Sequence, residues 1–235
     1  MELIFKSPHP FENKKAIVDF FQNGLLETLL VDKGQIEFLS EHISRISTSL
    51  QREFSTCLTE KDLERWTLQI KDQVLSKIED TLSYRLNLYL ELKSSQPHWS
   101  YWLEPYRPPQ SPLLAEIHLL PDAKKSLTSK WVQCPRREEA LNLLSQSGYD
   151  LIIWKNTDNY LLETHIGNIF YKWNEQMYTP PLEEILPGIV RQNILSSQTH
   201  IRERRLNETE LPLLQGLWVT NSLLKMKPIE IVKVI

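Results

Sequence analysis

Apolar and polar residues alternate along the first third of the chain in a pattern that predicts a β-hairpin followed by two helices. Apolar runs lie on both sides of the turn residues Asp32, Lys33 and Gly34, as in a hairpin. Apolar side chains then recur at helical spacing, with Ser40 as the expected N-cap. The predicted elements are strand 25–31, strand 35–39, a helix from Ser40 that buries Ile43, Ile46 and Leu50, helix 60–78 and strand 84–92.

A proline-rich segment at residues 104–112 interrupts this pattern. Its prolines fit neither a helix interior nor a central strand. We therefore predict an N-terminal α+β domain over 1–107, a proline-rich linker over 108–112 and a C-terminal domain over 113–235. The elements predicted after the linker are strand 113–121, helix 135–148 ended by Gly148, successive strands within 149–181 around turns at 156–158 and 173–176, a helix opened by Gly188, and two strands within 217–235.

Composition and charge narrow the class of protein. A hydrophobic content of 41%, a charged content of 24% and a net charge of −3 are ordinary for a soluble globular chain. No global basic field favours nucleic acid or an anionic membrane. Cys57 and Cys134 form neither a disulfide framework nor a metal-ligand spacing. Without an apolar leader or a run of roughly 18 apolar residues, a cytoplasmic protein that does not enter membranes is expected.

Two polar residues stand in an apolar stretch where the chain enters a predicted core strand. Glu163 and Asn168 lie within residues 160–173. The ordinary interpretation of Glu163 is a solvated carboxylate at a strand end. A buried Glu163 would need a cationic partner or several donors, and the neighbouring sequence supplies none. The protonated ring nitrogen of a cofactor would meet that need.

Further polar residues suit the binding of an anionic cofactor, although each also has an ordinary structural explanation. Lys130 lies in an uncharged context, and a desolvated lysine has a lowered pKa and can form a Schiff base. Gly188 opens a helix whose N–H groups could hold phosphate. Arg45 shares a helix face with His42, either as a surface pair or aimed inward at a phosphate. Residues 220–222 are either a cap or a phosphate loop.

The order of these signals resembles that of the fold-type IV (class IV) pyridoxal-phosphate enzymes. H-x-x-R follows the first hairpin and a lysine follows the linker. Then come E-x-x-x-x-N-[IL]-F, T-P-P-L, L-P-G-I-x-R and T-N-S. The resemblance covers residues 24–228, and its most specific pieces are ETHIGNIF, TPPLEEILPGIVRQ and TNSLLKMKPI. It implies a two-domain α+β fold like that of D-amino-acid aminotransferase, with a small N-terminal α/β domain and a larger β-rich C-terminal domain that also carries helices.

The resemblance also assigns roles around pyridoxal 5′-phosphate, and it implies no metal. Lys130 would form the Schiff base and transfer protons. Glu163 would hold the protonated pyridine nitrogen, beside Asn168 as a shaping residue. The residues expected at the cofactor phosphate are Arg45, Gly188, Ile189, Val190, Thr220 and Asn221. The chain departs from the family pattern at Gln133–Cys134, where an asparagine–arginine pair is usual, and at Val190, where a threonine is usual.

The TNSLLKMKPI ending resembles 4-amino-4-deoxychorismate lyases more than the transaminases of the family. The resemblance therefore implies a lyase that eliminates pyruvate from aminodeoxychorismate and forms 4-aminobenzoate, a folate precursor. The alternative within the family is a branched-chain or D-amino-acid aminotransferase. A third hypothesis is a non-catalytic protein with the same fold. A homodimer is expected because the family buries its sites near a dimer interface.

Overall fold

A computed structural model describes residues 8–110, 112–120 and 128–235 of the chain. The chain divides into two compact units: residues 1–107 with 129–133, and residues 108–128 with 134–235. This differs from the predicted linear division, because the segment that holds Lys130 belongs to the first unit. Main-chain hydrogen bonds are the reason: the N–H of Leu26 donates to the Lys130 carbonyl (2.8 Å), and that of Val132 donates to the Gly24 carbonyl (2.9 Å).

The predicted linker also packs into the second unit. Lys227 Nζ donates to the carbonyls of Pro109 (2.6 Å) and Gln110 (3.2 Å). Prolines carry no N–H, but their carbonyls remain strong acceptors. A lysine on the last strand therefore satisfies the polar groups of this segment.

Within its described residues, the first unit is a four-stranded antiparallel sheet with three helices. The strand order is β2-β1-β3-β4. The elements, in chain order, are α1 (Lys14–Phe20), β1 (Leu25–Asp32), β2 (Gln35–Ile36), α2 (Leu39–Phe54), α3 (Glu60–Leu75), β3 (Tyr84–Lys93) and β4 (Gln96–Pro105).

Helices α2 and α3 bury their apolar stripes against one face of this sheet. The predicted residues Ile43, Ile46 and Leu50 are all buried there, as helical spacing indicates. The prediction of Ser40 as the N-cap is wrong: α2 begins at Leu39 after Phe38, which has a left-handed backbone, and no side chain caps the helix. Strand β2 ends so soon that the chain enters α2 before Ser40 could serve as a cap.

The second unit is built on a nine-stranded sheet. Its order is β10-β9-β8-β12-β13-β5-β6-β7-β11, and an additional β7–β8 pairing closes six of these strands into a ring. The elements are β5 (Leu113–Leu119), α4 (Pro135–Ser147), β6 (Leu151–Lys155), β7 (Tyr160–Thr164), β8 (Asn168–Trp173), β9 (Gln176–Thr179), α5 (Ile189–Ser197), β10 (Arg202–Glu203), β11 (Leu206–Asn207), β12 (Gly216–Asn221) and β13 (Lys225–Val234), with 3₁₀ turns at Leu182–Glu184 and Glu208–Leu213.

The interior of the second unit is apolar, with Ile117, Ile153, Ile169 and Val219 among its fully buried residues. Gly148 ends α4 with φ of 73°, as predicted, because a left-handed residue closes a helix most easily without a side chain. None of the described helices is long and apolar enough to cross a membrane.

Candidate functional site

Three of the predicted site residues lie side by side in the sheet of the second unit. Glu163 on β7 pairs with Asn168 on β8, and Asn168 pairs in turn with Thr220 on β12. All three are buried. The Thr220 hydroxyl donates to the Asn168 carbonyl (3.3 Å). Residues far apart in sequence therefore form one polar row within an apolar sheet.

The Glu163 carboxylate is buried and held by donors. Its Oε2 accepts from Asn168 Nδ2 (3.1 Å) and from the N–H of Leu186 (3.1 Å). Arg136 Nη1 lies 4.0 Å from Oε1. The ordinary interpretation of a solvated strand-end carboxylate is therefore wrong.

The sequence reasoning found no cationic partner for Glu163 and so missed Arg136, which lies in the first turn of α4. Cations are disfavoured at a helix N-terminus. Two consecutive arginines, residues 136–137, lie at the start of a predicted helix. This unfavourable placement of positive charge could have indicated a nearby acidic partner.

The N-terminus of α5 lies beside this row. Gly188 is its N-cap residue and supplies no side-chain hydrogen bond, so the first N–H groups of the helix, at Ile189 and Val190, have no acceptor within the helix. A Cβ at Gly188 would lie 1.9 Å from Asn168 Oδ1. Asn168 Nδ2 also donates to the Leu186 carbonyl (2.9 Å). Asn168 thus joins the carboxylate of Glu163 to the loop that leads into the helix.

The Asn221 side chain serves the turn between β12 and β13. Its Oδ1 accepts from the N–H groups of Leu223 (2.9 Å) and Leu224 (2.8 Å), and its Nδ2 donates to the Ile166 carbonyl (3.2 Å). The ordinary cap interpretation therefore describes this side chain.

In the first unit, Lys130 is held on β1 at both its main chain and its side chain. Its Nζ donates to Thr28 Oγ1 (3.2 Å), and the Thr28 hydroxyl donates to Asn87 Oδ1 (3.1 Å). The preceding residue, Ser129, is buried and accepts from Arg52 Nη2 (2.5 Å). The sequence reasoning missed Thr28 and Asn87. The sequence feature that could have indicated them is a polar residue within each of two predicted apolar strands.

Arg45 and His42 converge on Glu27, a buried carboxylate of β1. Arg45 Nε donates to Glu27 Oε1 (2.8 Å), Arg45 Nη2 contacts Oε2, and His42 Nδ1 lies 2.6 Å from Oε2. Burial alone would raise the pKa of Glu27, but the Arg45 charge and the His42 hydrogen bond hold it far below its usual value. Burial lowers the pKa of His42 despite that carboxylate. The surface-pair interpretation of His42 and Arg45 is wrong.

These residues match the chemistry of a phosphorylated pyridine aldehyde. The second unit offers a buried carboxylate for a ring nitrogen and an uncapped helix N-terminus for a phosphate. The first unit offers an amine and a partly buried guanidinium. Within residues 8–110, 112–120 and 128–235, no group of three or more His, Cys, Asp or Glu side chains is placed to hold a metal ion.

Comparison with solved structures shows the same fold in other proteins. A candidate 4-amino-4-deoxychorismate lyase from Legionella pneumophila is 22% identical, with a TM-score of 0.78, over 99% of this chain and 90% of that one. A hypothetical aminotransferase from Mycobacterium tuberculosis with pyridoxal phosphate bound is 18% identical, with a TM-score of 0.75, over 98% and 87%. A branched-chain aminotransferase from Thermoproteus uzoniensis is 16% identical, with a TM-score of 0.74, over 90% and 79%.

No curated protein matches the chain. The family model for class IV amino-transferases matches residues 24–232, which is most of the chain. This match confirms the resemblance, the predicted fold class and the expectation of an enzyme that uses pyridoxal phosphate. The chain belongs to the class IV aminotransferase family.

Proposed function

We propose that the protein is a 4-amino-4-deoxychorismate lyase, which splits its substrate into 4-aminobenzoate and pyruvate. The observation that carries the proposal is the Lys130 amine held by the Thr28 hydroxyl at 3.2 Å. The TNSLLKMKPI ending, which resembles lyase sequences, favours this member of the family over the transaminases. The Legionella candidate lyase shares the fold over 99% of this chain.

The residues of this chain would hold the cofactor at three points. Glu163, fixed by Asn168 and the Leu186 N–H, would accept a hydrogen bond from the protonated ring nitrogen and keep that nitrogen protonated. The first N–H groups of α5 and Arg45 would bind the phosphate. When bound, pyridoxal phosphate withdraws electrons from the carbon that carries the substrate amine.

Lys130 would move the proton in this reaction. Thr28 accepts one N–H of the amine, which leaves the nitrogen lone pair of a neutral Lys130 able to take the proton from C4 of the substrate. The C3–O bond to the enolpyruvyl group then breaks, the ring becomes aromatic, and the enol leaves as pyruvate after gaining a proton. The products contain all the atoms of the substrate, so no keto acid or other acceptor is consumed.

Pyruvate release from aminodeoxychorismate tests the proposal. The purified protein loaded with pyridoxal phosphate should release pyruvate with no keto acid added, and Lys130→Ala should release none and lose the visible absorbance of the bound cofactor. Amine transfer from a branched-chain or D-amino acid that requires a keto acid, without pyruvate release, would contradict the lyase. A colourless protein that takes up no pyridoxal phosphate would indicate a non-catalytic protein. The homodimer and the cytoplasmic location expected from the sequence stay predictions.

A further inference from the structure

The sheet of the first unit has two chemically different faces. Helices α2 and α3 cover the face that carries Leu29, Leu86 and Leu88. The opposite face carries Thr28, because side chains alternate along a strand. In the strand register Thr28 lies beside Asn87, and Leu30 lies beside Arg85. The Lys130 amine therefore rests on a face that also presents an arginine one row away.

A chain of hydrogen bonds runs along this face from Lys130 to Arg85. Lys130 Nζ donates to Thr28 Oγ1 (3.2 Å), and Thr28 donates to Asn87 Oδ1 (3.1 Å). Arg85 Nε donates to the same Oδ1 (3.3 Å). A guanidinium can only donate, so the atom of Asn87 that faces it must be the oxygen. Asn87 is 2% exposed, so the packing around it restricts the position of this oxygen.

Only one nitrogen of Arg85 is used by these contacts. Glu104 forms a loose ion pair with Arg85: its Oε1 lies 3.7 Å from Arg85 Nε, beyond hydrogen-bond distance. The oxygens of Glu104 already accept from Lys14 Nζ (2.9 Å) and Trp102 Nε1 (3.1 Å). Across the described ranges, the two terminal nitrogens of Arg85 donate no hydrogen bond, and its side chain is 39% exposed. The guanidinium therefore presents a fork of donors on the sheet face that also carries the Lys130 amine.

We propose that Arg85 binds a substrate carboxylate that lies remote from the reacting carbon. A planar guanidinium with two open terminal nitrogens is the geometry that binds a carboxylate bidentately. The inference rests on the proposed function, because it places the substrate amine where the Lys130 amine now lies.

The separation between the two groups decides which carboxylate fits. Three hydrogen bonds in series separate Lys130 Nζ from Arg85 Nε. The α-carboxylate of an amino acid is bonded to the reacting carbon itself, which is too near to the amine for this arginine. A carboxylate across a six-membered ring from the amine is remote from the reacting carbon, as this placement of Arg85 requires. Arg85 thus selects a cyclic amino acid whose amine and carboxylate lie at opposite ends of the ring.

Binding of the product and of its uncharged analogue measures this contact without turnover. We expect the wild-type protein loaded with pyridoxal phosphate to bind 4-aminobenzoate at least about tenfold more tightly than 4-aminobenzamide, since a hydrogen-bonded charge pair commonly contributes that much. Titration calorimetry of Arg85→Leu should show nearly equal affinities. Arg85→Lys should keep part of the preference, because an ammonium retains the charge and loses the fork. In kinetics, Arg85→Leu should raise KM for aminodeoxychorismate about tenfold or more, with a smaller change in kcat.

Arg65→Leu is the matched control, because Arg65 is exposed on α3, on the other side of the sheet. It should keep the wild-type preference and KM. If Arg85→Leu keeps the preference for 4-aminobenzoate while the wild type releases pyruvate, the role of Arg85 is refuted and the lyase stands. If the wild type neither releases pyruvate nor binds 4-aminobenzoate, the proposed function fails, and the role of Arg85 fails with it. Circular dichroism spectra of both Arg85 variants establish that they are folded.

Discussion

Glu27 and Arg45 form a partly buried ion pair in the first unit, in which Arg45 Nε donates to Glu27 Oε1 at 2.8 Å. The Arg45 side chain is 12% exposed and that of Glu27 is 3% exposed. A buried carboxylate held by an arginine and a histidine fixes the direction of the guanidinium before any ligand arrives. This pairing orients the guanidinium of the residue that we propose for the cofactor phosphate.

Replacing Glu27 should destabilise the protein. Glu27→Gln leaves the Arg45 charge buried without its partner, and we expect a loss of about 3 to 5 kcal/mol in the free energy of unfolding at pH 7. Urea unfolding measures it. The exposed Glu64→Gln on α3 should change the free energy by less than about 0.5 kcal/mol.

The same pair makes the stability of the protein depend on pH in the acidic range. The folded-state pKa of Glu27 is far below its usual value of 4.5, so the contribution of the pair is fully present above pH 4.5 and declines as the pH falls below that value. The stability difference between wild type and Glu27→Gln should therefore shrink from pH 4.5 downward. A difference that stays constant from pH 7 to pH 3 would contradict an ionised Glu27.

Glu163 should matter far more for activity than for folding. Glu163→Gln keeps the size of the side chain and can still accept from Asn168 and Leu186, but it cannot hold a proton on a ring nitrogen as a carboxylate does. We expect pyruvate release to fall about a hundredfold or more, with a smaller effect on urea unfolding than that of Glu27→Gln. Activity that survives Glu163→Gln or Glu163→Ala would refute the role given to Glu163.

Gly188 should be required for cofactor binding. In Gly188→Ala the new methyl group would lie 1.9 Å from Asn168 Oδ1, so Asn168 or the start of α5 must move, and such overpacking costs about 1 to 3 kcal/mol. We expect the affinity for pyridoxal phosphate, measured by absorbance titration of the apoprotein, to fall about tenfold or more.

Gly148→Ala is the control for this substitution. Gly148 has φ of +73° and nothing within 4 Å of an added Cβ. The variant should lose about 1 kcal/mol of stability through backbone strain and keep its affinity for the cofactor. Equal cofactor affinity in Gly188→Ala and wild type would show that this helix start does not hold the phosphate.

His165 should make the protein less stable as the pH falls toward 4. Burial lowers the pKa of His165 from 6.5 to about 4, and the charge of Arg137 acts in the same direction. The N–H of Ile152 lies 3.4 Å from Nδ1, and burial outweighs this main-chain contact in setting the pKa. Between pH 6.5 and pH 4, His165 is protonated in the unfolded chain but not in the folded protein. Lowering the pH over this interval therefore removes about 3 kcal/mol from the free energy of unfolding.

Urea unfolding at a series of pH values checks this loss. His165→Gln cannot titrate, so its unfolding free energy should decline less than that of the wild type over the same interval. Parallel curves for the two proteins would mean that His165 titrates normally in the fold.

Most of the secondary structure follows from local patterns. The apolar stripe of α2 and the stop of α4 at Gly148 are each visible in a few neighbouring residues, because burial of one face dictates their spacing. Strand β4 (Gln96–Pro105) was not predicted. Its prolines and aromatic residues break the usual alternation, and pairing with β3 along its whole length overrides that weak local signal.

In the candidate site, too, some features were predictable from local sequence and others were not. The order of Lys130, Glu163, Gly188 and Thr220 was sufficient to identify the family, because each motif is local and its order is inherited with the fold. The partners of these residues were not predictable: Thr28 for Lys130 and Arg136 for Glu163 come from segments far away along the chain.

The sequence by itself determined the family, the cofactor class and most of the helices and strands of this protein. The tertiary structure alone decided which charges are buried together, as with Glu27 and Arg45, and which polar residues share a sheet face, as with Arg85 and Lys130. The physical reason is that strand register and helix packing set these distances. Burial of a charged side chain is costly unless a partner of opposite charge is buried with it. The partner comes from a distant part of the chain, so no local sequence pattern identifies it.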